Sequence, residues 1–252
     1  MKRADYHMHT NYSDGDSSPE EMILKGISLG LEEIGISDHS FTSFDTSYCM
    51  KKEEIASYNE ELERLKGKYK GQIKVLKGIE QDYFSSVPAE GYDYVIGSVH
   101  YIFTEGYYIP IDESPEILKG AADQFFGGNM LRLCREYYAL VSEVVNKTGA
   151  DIIGHFDLIS KFNDKKELFD PEDPRYIALW KRAADKLLET GAVFEINTGA
   201  VSRGYKSVPY PSEEQIEYIK GKGGHFILSS DAHSPERIAF GFDICEGFIR
   251  ND

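Results

Sequence analysis

The stretch Ala4-Asp5-Tyr6-His7-Met8-His9-Thr10, followed by the turn Asn11-Tyr12-Ser13-Asp14-Gly15, decides how the rest of the chain is read. The apolar and polar residues around His7 and His9 predict a β-strand over 4–9. Residues two apart on a strand point to the same face, so the two imidazoles stand side by side. Such a pair makes half of a metal site. It is also compatible with plain polar surface on an edge strand, and the remainder of the chain has to choose between the two.

Outward from that strand, short β-like runs alternate with helical ones. Ser18-Pro19-Glu20-Glu21 reads as a helix N-cap, a first-turn proline and early acids, and the helix runs to about Leu29 before Gly30 ends it. Further strands are predicted at 33–37, 73–80, 94–100, 151–155, 192–197 and 225–230. Helices are predicted at 51–69, 115–147, 173–190 and 212–221, the long one broken at Gly127-Gly128, and a short segment from Pro235 to Phe248 closes the chain. A polar loop rich in Ser and Thr fills 40–50, and a tyrosine-rich loop fills 101–112. Seven strands separated mostly by helices imply a parallel sheet with helical crossovers. An open doubly wound sheet would carry a GxGxxG turn or a phosphate loop near its first helix, and neither is present. Polar residues instead crowd the C-terminal ends of nearly every strand, where a β/α barrel builds its site. The expected fold is therefore α/β, a distorted TIM-like barrel of seven β/α units formed by residues 1–252 as a single domain.

The bulk composition fits this reading and excludes others. No run of about 18 apolar residues exists, so no membrane span is expected. The polar Met1-Lys2-Arg3 start lacks the apolar core of a secretory signal, and Cys49, Cys134 and Cys245 form no paired framework. A cytoplasmic protein with reduced thiols is expected. The net charge of −15 repels phosphodiester backbones and disfavours extended nucleic-acid binding, although bound cations would cancel part of it.

The chemistry lies at the strand ends. His7 and His9 end the first strand, Asp38-His39 the second, Glu80 the third, His100 the fourth and His155 the fifth. Glu195 and Asn197 end the sixth, and Asp231 and His233 the seventh. Six of the seven histidines thus stand at one rim, and only His225 lies at a strand start, which points to metal rather than scattered surface polarity. Imidazole with carboxylate suits Zn²⁺, Mn²⁺ or Fe rather than Ca²⁺, and no thiolate joins the set. The ligands exceed one tetrahedral shell and suffice for two to three divalent ions. A multinuclear site of this kind activates water and clamps a phosphoryl group.

These motifs, His7-x-His9-Thr10, Ser13-Asp14-Gly15, Ser37-Asp38-His39, Gly78-x-Glu80, Gly97-Ser98-Val99-His100, Gly154-His155 and Ser230-Asp231-Ala232-His233, resemble the PHP (polymerase and histidinol phosphatase) superfamily of metal-dependent phosphoesterases. The 153–157 and 195–198 segments are most similar to its histidinol-phosphatase branch. The resemblance implies a seven-stranded distorted barrel with a trinuclear site. It implies that His7, His9, Glu80 and Asp231 hold a first ion, and that Glu80 bridges to a second held by His100 and His155. It implies that His39 and His233 hold a third. The family often places one more histidine in the loop after the first strand; here Asp14 is the residue available, which leaves the third ion the least determined.

The implied reaction is hydrolysis of L-histidinol phosphate to L-histidinol and phosphate, within histidine biosynthesis. Asp14 is a candidate ligand or, with a raised pKa, a general acid, and its Ser-Asp-Gly setting is also ordinary turn chemistry. Arg203 and Lys161 are candidate catalytic and substrate-binding cations for the phosphate, against the simpler reading of solvated loop charges. Asn197 is a candidate at the substrate, or with Glu195 a partner that orients ligand imidazoles. Tyr83, Tyr101, Tyr107 and Tyr108 are a possible wall for the head group. Three other readings stand beside this one. They are a PHP phosphoesterase for another small phosphomonoester or phosphotyrosine, one for nucleic-acid ends, and a non-catalytic metal-binding module.

Overall fold

The computed structural model describes residues 3–249. The strands β1 (Ala4–Asp5), β2 (Glu33–Ile36), β3 (Lys74–Asp82), β4 (Tyr94–Ser98), β7 (Ile152–Ile153), β8 (Val193–Asn197) and β9 (Phe226–Ser229) line up in that order, each parallel to the next. The sheet nearly closes. Met8 and Ala232 form a parallel bridge, and the His9 N–H donates to the Ala232 carbonyl at 2.8 Å. The Asp5 carboxylate spans the same seam, accepting from the N–H and hydroxyl of Ser230 and from the Ala239 N–H. The expected distorted barrel of seven parallel strands is therefore the observed fold.

Helices pack outside. α1 (Pro19–Ser28) and α2 (Ile55–Lys68) cover β2 and β3 through Met22, Ile23, Tyr58, Leu62 and Leu65. α3 (Pro115–Phe126), α4 (Met130–Val141), α5 (Val144–Thr148), α6 (Pro174–Leu188), α7 (Gly199–Ser202), α8 (Glu213–Gly221) and α9 (Phe242–Ile249) follow along the chain. α3, α4, α6 and α8 form the larger apolar layer with Trp180 and Phe194 in it. Ser18 and Glu21 form a capping box at α1, and Asp173 caps α6 ahead of Pro174, as those local signals predict.

Four expectations about elements change. The first strand is shorter than 4–9, because the Tyr6 carbonyl accepts the Tyr94 hydroxyl instead of a ladder partner. The fifth predicted strand, β7, shrinks to two residues. The predicted loop at 101–112 contains a hairpin, β5 (Tyr101–Thr104) and β6 (Tyr107–Pro110), outside the barrel sheet. Its turn holds Glu105 and Gly106 at φ 49° and 89°, a pattern that matches strand twist in two-residue hairpins. The long helix breaks at Gly127 and Gly128, both at positive φ, as expected, but it also breaks a second time after Val141. Among the described residues, no helix is long and apolar enough to cross a membrane.

Candidate metal centre

Glu80 is the middle of the site. It lies inside β3, fully buried, where strand alternation turns it toward the C-terminal rim. Its Oε1 lies 3.4 Å from His7 Nε2, 3.4 Å from His100 Nε2 and 3.0 Å from His155 Nε2. Its Oε2 lies 2.6 Å from His39 Nδ1 and 3.7 Å from His9 Nε2. Asp231, held at φ 51° just past β9, approaches His9 Nε2 at 3.2 Å and His7 Nε2 at 3.9 Å. Left-handed backbone at an aspartate is uncommon and clusters at functional positions. On the outer side, Asp14 Oδ2 lies 3.3 Å from His233 Nε2, and its Oδ1 3.7 Å from His39 Nε2.

All nine sequence-predicted ligands therefore converge. Three groups have ligand atoms within 4.8 Å of one another: His9, Asp14, His39 and His233; His7, His9 and Glu80; and His39, Glu80 and His100. His39 faces both Glu80 and Asp14, so it sits between two groups rather than in the outer one alone.

The residues fit divalent ions on a direct test. His7 Nε2, both ring nitrogens of His9 and His155 Nδ1 are buried without hydrogen-bond partners. Buried polar atoms are normally satisfied, and several orphans in one place call for an ion. The donor set, imidazole and carboxylate without thiolate, matches divalent transition metals.

Electrostatics couple the same residues to one another. Burial opposes a charge on His7, yet Glu195, Glu80 and Asp231 outweigh it and hold its pKa well above the ordinary value. His9 goes the other way: burial, then His39 and His233, push it down to about 3. Burial also opposes ionisation of Glu80, but His39, His7 and His100 hold it well below the usual carboxylate range. Asp14 is likewise held down, mainly by His39 and His233 against burial. Its oxygens face His233 and His39, the position of a candidate ligand.

Outer partners aim the ligands. Glu195 Oε2 accepts from His7 Nδ1 at 2.8 Å, and its Oε1 accepts from the His155 N–H at 2.6 Å. Asp82 Oδ2 lies 3.0 Å from His100 Nδ1. The two ring contacts, at His7 and His100, fix the tautomer that leaves the other ring nitrogen free for a metal. Asp38 accepts from the Thr10 N–H and hydroxyl and from the Ser13 hydroxyl, which pins the turn carrying Asp14. Asp82 was not singled out by sequence, although it follows Glu80 by two residues and so shares its face.

A cleft of about 360 Å³ opens on the centre and is lined by both Arg203 and Lys161. Arg203, just after α7, donates to Asp231 Oδ2 at 3.0 Å and lies 3.0 Å from His233 Nδ1. Lys161 Nζ donates to the Asp112 carbonyl at 2.7 Å and lies 3.2 Å from its carboxylate. Asn197 is a correction. It is fully buried and off the cleft: its amide donates to Glu195 Oε1 at 2.8 Å, and its Oδ1 accepts the Gly199 N–H. It braces Glu195 instead of meeting a substrate. Of the four expected tyrosines only Tyr101 lines the cleft, joined by Tyr48 and Tyr205.

Fold and site together define a class: a parallel β/α barrel with a multi-ligand centre for divalent metal at its C-terminal rim. The PHP domain family matches residues 5–199, and the chain belongs to that family. A probable histidinol-phosphatase of Schizosaccharomyces pombe is 29% identical over 252 residues, covering 91% of this chain and 79% of the relative. One of Deinococcus radiodurans is 29% identical over 249 residues, covering 94% and 89%. Among solved structures, histidinol phosphate phosphatase of Lactococcus lactis subsp. lactis, complexed with Zn, L-histidinol and phosphate, aligns with a TM-score of 0.74. It shares 21% identity over 98% of this chain and 92% of that one, a likeness of fold.

Proposed function

We propose that this chain is a metal-dependent phosphomonoesterase that hydrolyses L-histidinol phosphate to L-histidinol and phosphate. The observation that carries this is the convergence of six imidazoles on Glu80, Asp231 and Asp14, with orphaned buried nitrogens, beside two cleft-lining cations. The names of the relatives supply the substrate.

In this reading His7, His9, Glu80 and Asp231 hold one ion, Glu80, His100 and His155 a second, and Asp14, His39 and His233 a third. Two to three Zn, Mn or Fe ions per chain follow. When bound, such ions neutralise phosphoryl oxygens and activate water at neutral pH. The chain's own part is positioning. Arg203 offers the planar fork that suits a phosphate oxygen pair, already aimed by Asp231. Lys161 adds a second cation, oriented by Asp112. Glu195 and Asp82 keep the rings of His7 and His100 in place. Three buried, unpaired cysteines fit a reducing compartment, and the cytoplasm is the proposed location.

The test is a panel of phosphomonoesters assayed for phosphate release. Histidinol phosphate should exceed nucleotides, sugar phosphates and phosphotyrosine in kcat/KM by about 10⁴-fold, as a site built to bond substrate N–H groups would achieve. Equal rates across the panel would overturn the substrate assignment. Arg203→Met should lower kcat/KM by about a hundredfold, the usual scale for losing one preorganised donor to a reacting oxyanion.

A further inference from the structure

The cleft has two unlike walls. One is the ligand-bearing rim with Arg203 and Lys161. The other comes from the 40–50 loop and the start of the hairpin: Asp45, Ser47, Tyr48 and Tyr101. Tyr48 joins the two. Its ring centroid lies 5.0 Å from that of His39, 6.1 Å from His100 and 6.0 Å from Tyr101. The Tyr101 hydroxyl in turn donates to Asp45 Oδ2 at 2.6 Å.

Among the described residues, Asp45 and Glu113 are the two cleft carboxylates without a cationic partner, and of these only Asp45 is held in place by side-chain and backbone donors. The Ser47 N–H and hydroxyl donate to its Oδ1 at 2.9 and 2.6 Å. With Tyr101 this makes three donors, all neutral. An ionised carboxylate offers about four acceptor positions. Among the described residues no lysine, arginine or histidine pairs with Asp45, whereas Asp112 has Lys161 and Asp231 has Arg203. The loop around it is stitched in advance, since the Thr42 hydroxyl donates to the Asp45 carbonyl at 2.6 Å. The result is a fixed, half-buried negative charge with one acceptor position open and no counter-ion, one tyrosine away from the metal rim.

Resting on the reading of this cleft as a histidinol-phosphate site, we propose that Asp45 is a specificity-determining residue that seats the ammonium group of the substrate's leaving alcohol. Histidinol phosphate carries such a group beside its phosphate, and an N⁺–H donor to a carboxylate is among the stronger hydrogen bonds available. A phosphomonoester without a cation covers Asp45 and leaves its charge without a counter-ion, which penalises the wrong substrate. Tyr101 is a positioning residue, acting through Asp45.

The experiment compares wild type, Asp45→Asn and Tyr101→Phe on two substrates: L-histidinol phosphate and the analogue that lacks the amino group. The ratio of their kcat/KM values should fall about tenfold or more in Asp45→Asn, through KM, and by a smaller factor in Tyr101→Phe. An unchanged ratio in Asp45→Asn would overturn the proposal and leave the phosphatase reading intact. Should that variant fail to fold, Tyr101→Phe decides alone: a lowered ratio supports the proposal and an unchanged one overturns it. Wild-type protein that releases phosphate from para-nitrophenyl phosphate but from neither imidazole substrate would overturn the substrate reading and this proposal together.

Discussion

Glu195 never reaches the cleft, yet it touches two ligand residues at once, His7 through the ring and His155 through the backbone. Glu195→Gln keeps the shape and removes the charge. It should weaken metal affinity by about 10–100-fold, the usual effect of losing an outer partner, read by competition with a coloured chelator. Unchanged affinity would remove Glu195 from the centre. Asp112 gives a prediction with a pH sign. Burial opposes its ionisation, but Lys161, then His100 and His155, hold its pKa below the ordinary value. A depressed folded pKa contributes stability above the unfolded value of about 4, lost as pH falls through the folded value. The Tm gap between wild type and Asp112→Asn should therefore be present at neutral pH and shrink below about pH 4. A gap that persists in acid would mean the pair does not stabilise the fold. At this scale the ligands were legible because His, Asp and Glu stood one after another at strand ends. Asp82 was not, because its partner is His100, 18 residues on, whose orientation only the closed barrel sets; for Asn197 the pairing with Glu195 two residues before it was readable, and the expected contact with substrate is what the structure replaces.

Among the elements, β3 and β4 show how sequence and packing meet. Tyr94 fills the barrel interior, and its ring lies where side chains at Gly35 and Gly78 would stand: a Cβ on Gly78 would come within 2.2 Å of the ring. Gly78→Ala should destabilise the protein by about 1–3 kcal/mol through overpacking, and Tyr94→Leu should relieve part of that loss in the double mutant. Strict additivity in denaturant titrations would contradict this contact. Glu105 occupies a left-handed position in the hairpin turn that Asn or Gly suits better. Glu105→Gly should leave activity in place and shift stability by less than about 1 kcal/mol, since relieved strain and added unfolded-state freedom oppose each other. Helix starts were readable because caps are local: Ser18 with Glu21, and Asp173 before Pro174. Strand ends were not, because a ladder depends on its neighbour. Tyr6 leaves β1 for a tyrosine hydroxyl 88 residues away, which no local pattern carries.

As a whole, the molecule carries a net charge of −15 and gathers six of its seven histidines at one rim with Glu80, Asp231 and Asp14. The fold was legible in outline because parallel strands and helices alternate, but barrel closure depends on the Met8–Ala232 bridge and the Asp5 seam, which join residues more than 220 apart. The Asp5 seam holds β1 against the segment bearing Asp231 and His233, so the centre is complete only in the closed barrel. Ions that bind only this closed state should stabilise it, by about 2.7 kcal/mol at a free concentration a hundred times Kd. The most direct measurement is a titration of chelator-stripped protein with Zn²⁺ or Mn²⁺, following phosphate release from L-histidinol phosphate against metal bound per chain. The account predicts no turnover without metal and a rise to a plateau at about two to three ions per chain. Phosphate release by the metal-free protein, or none at any loading, would contradict it.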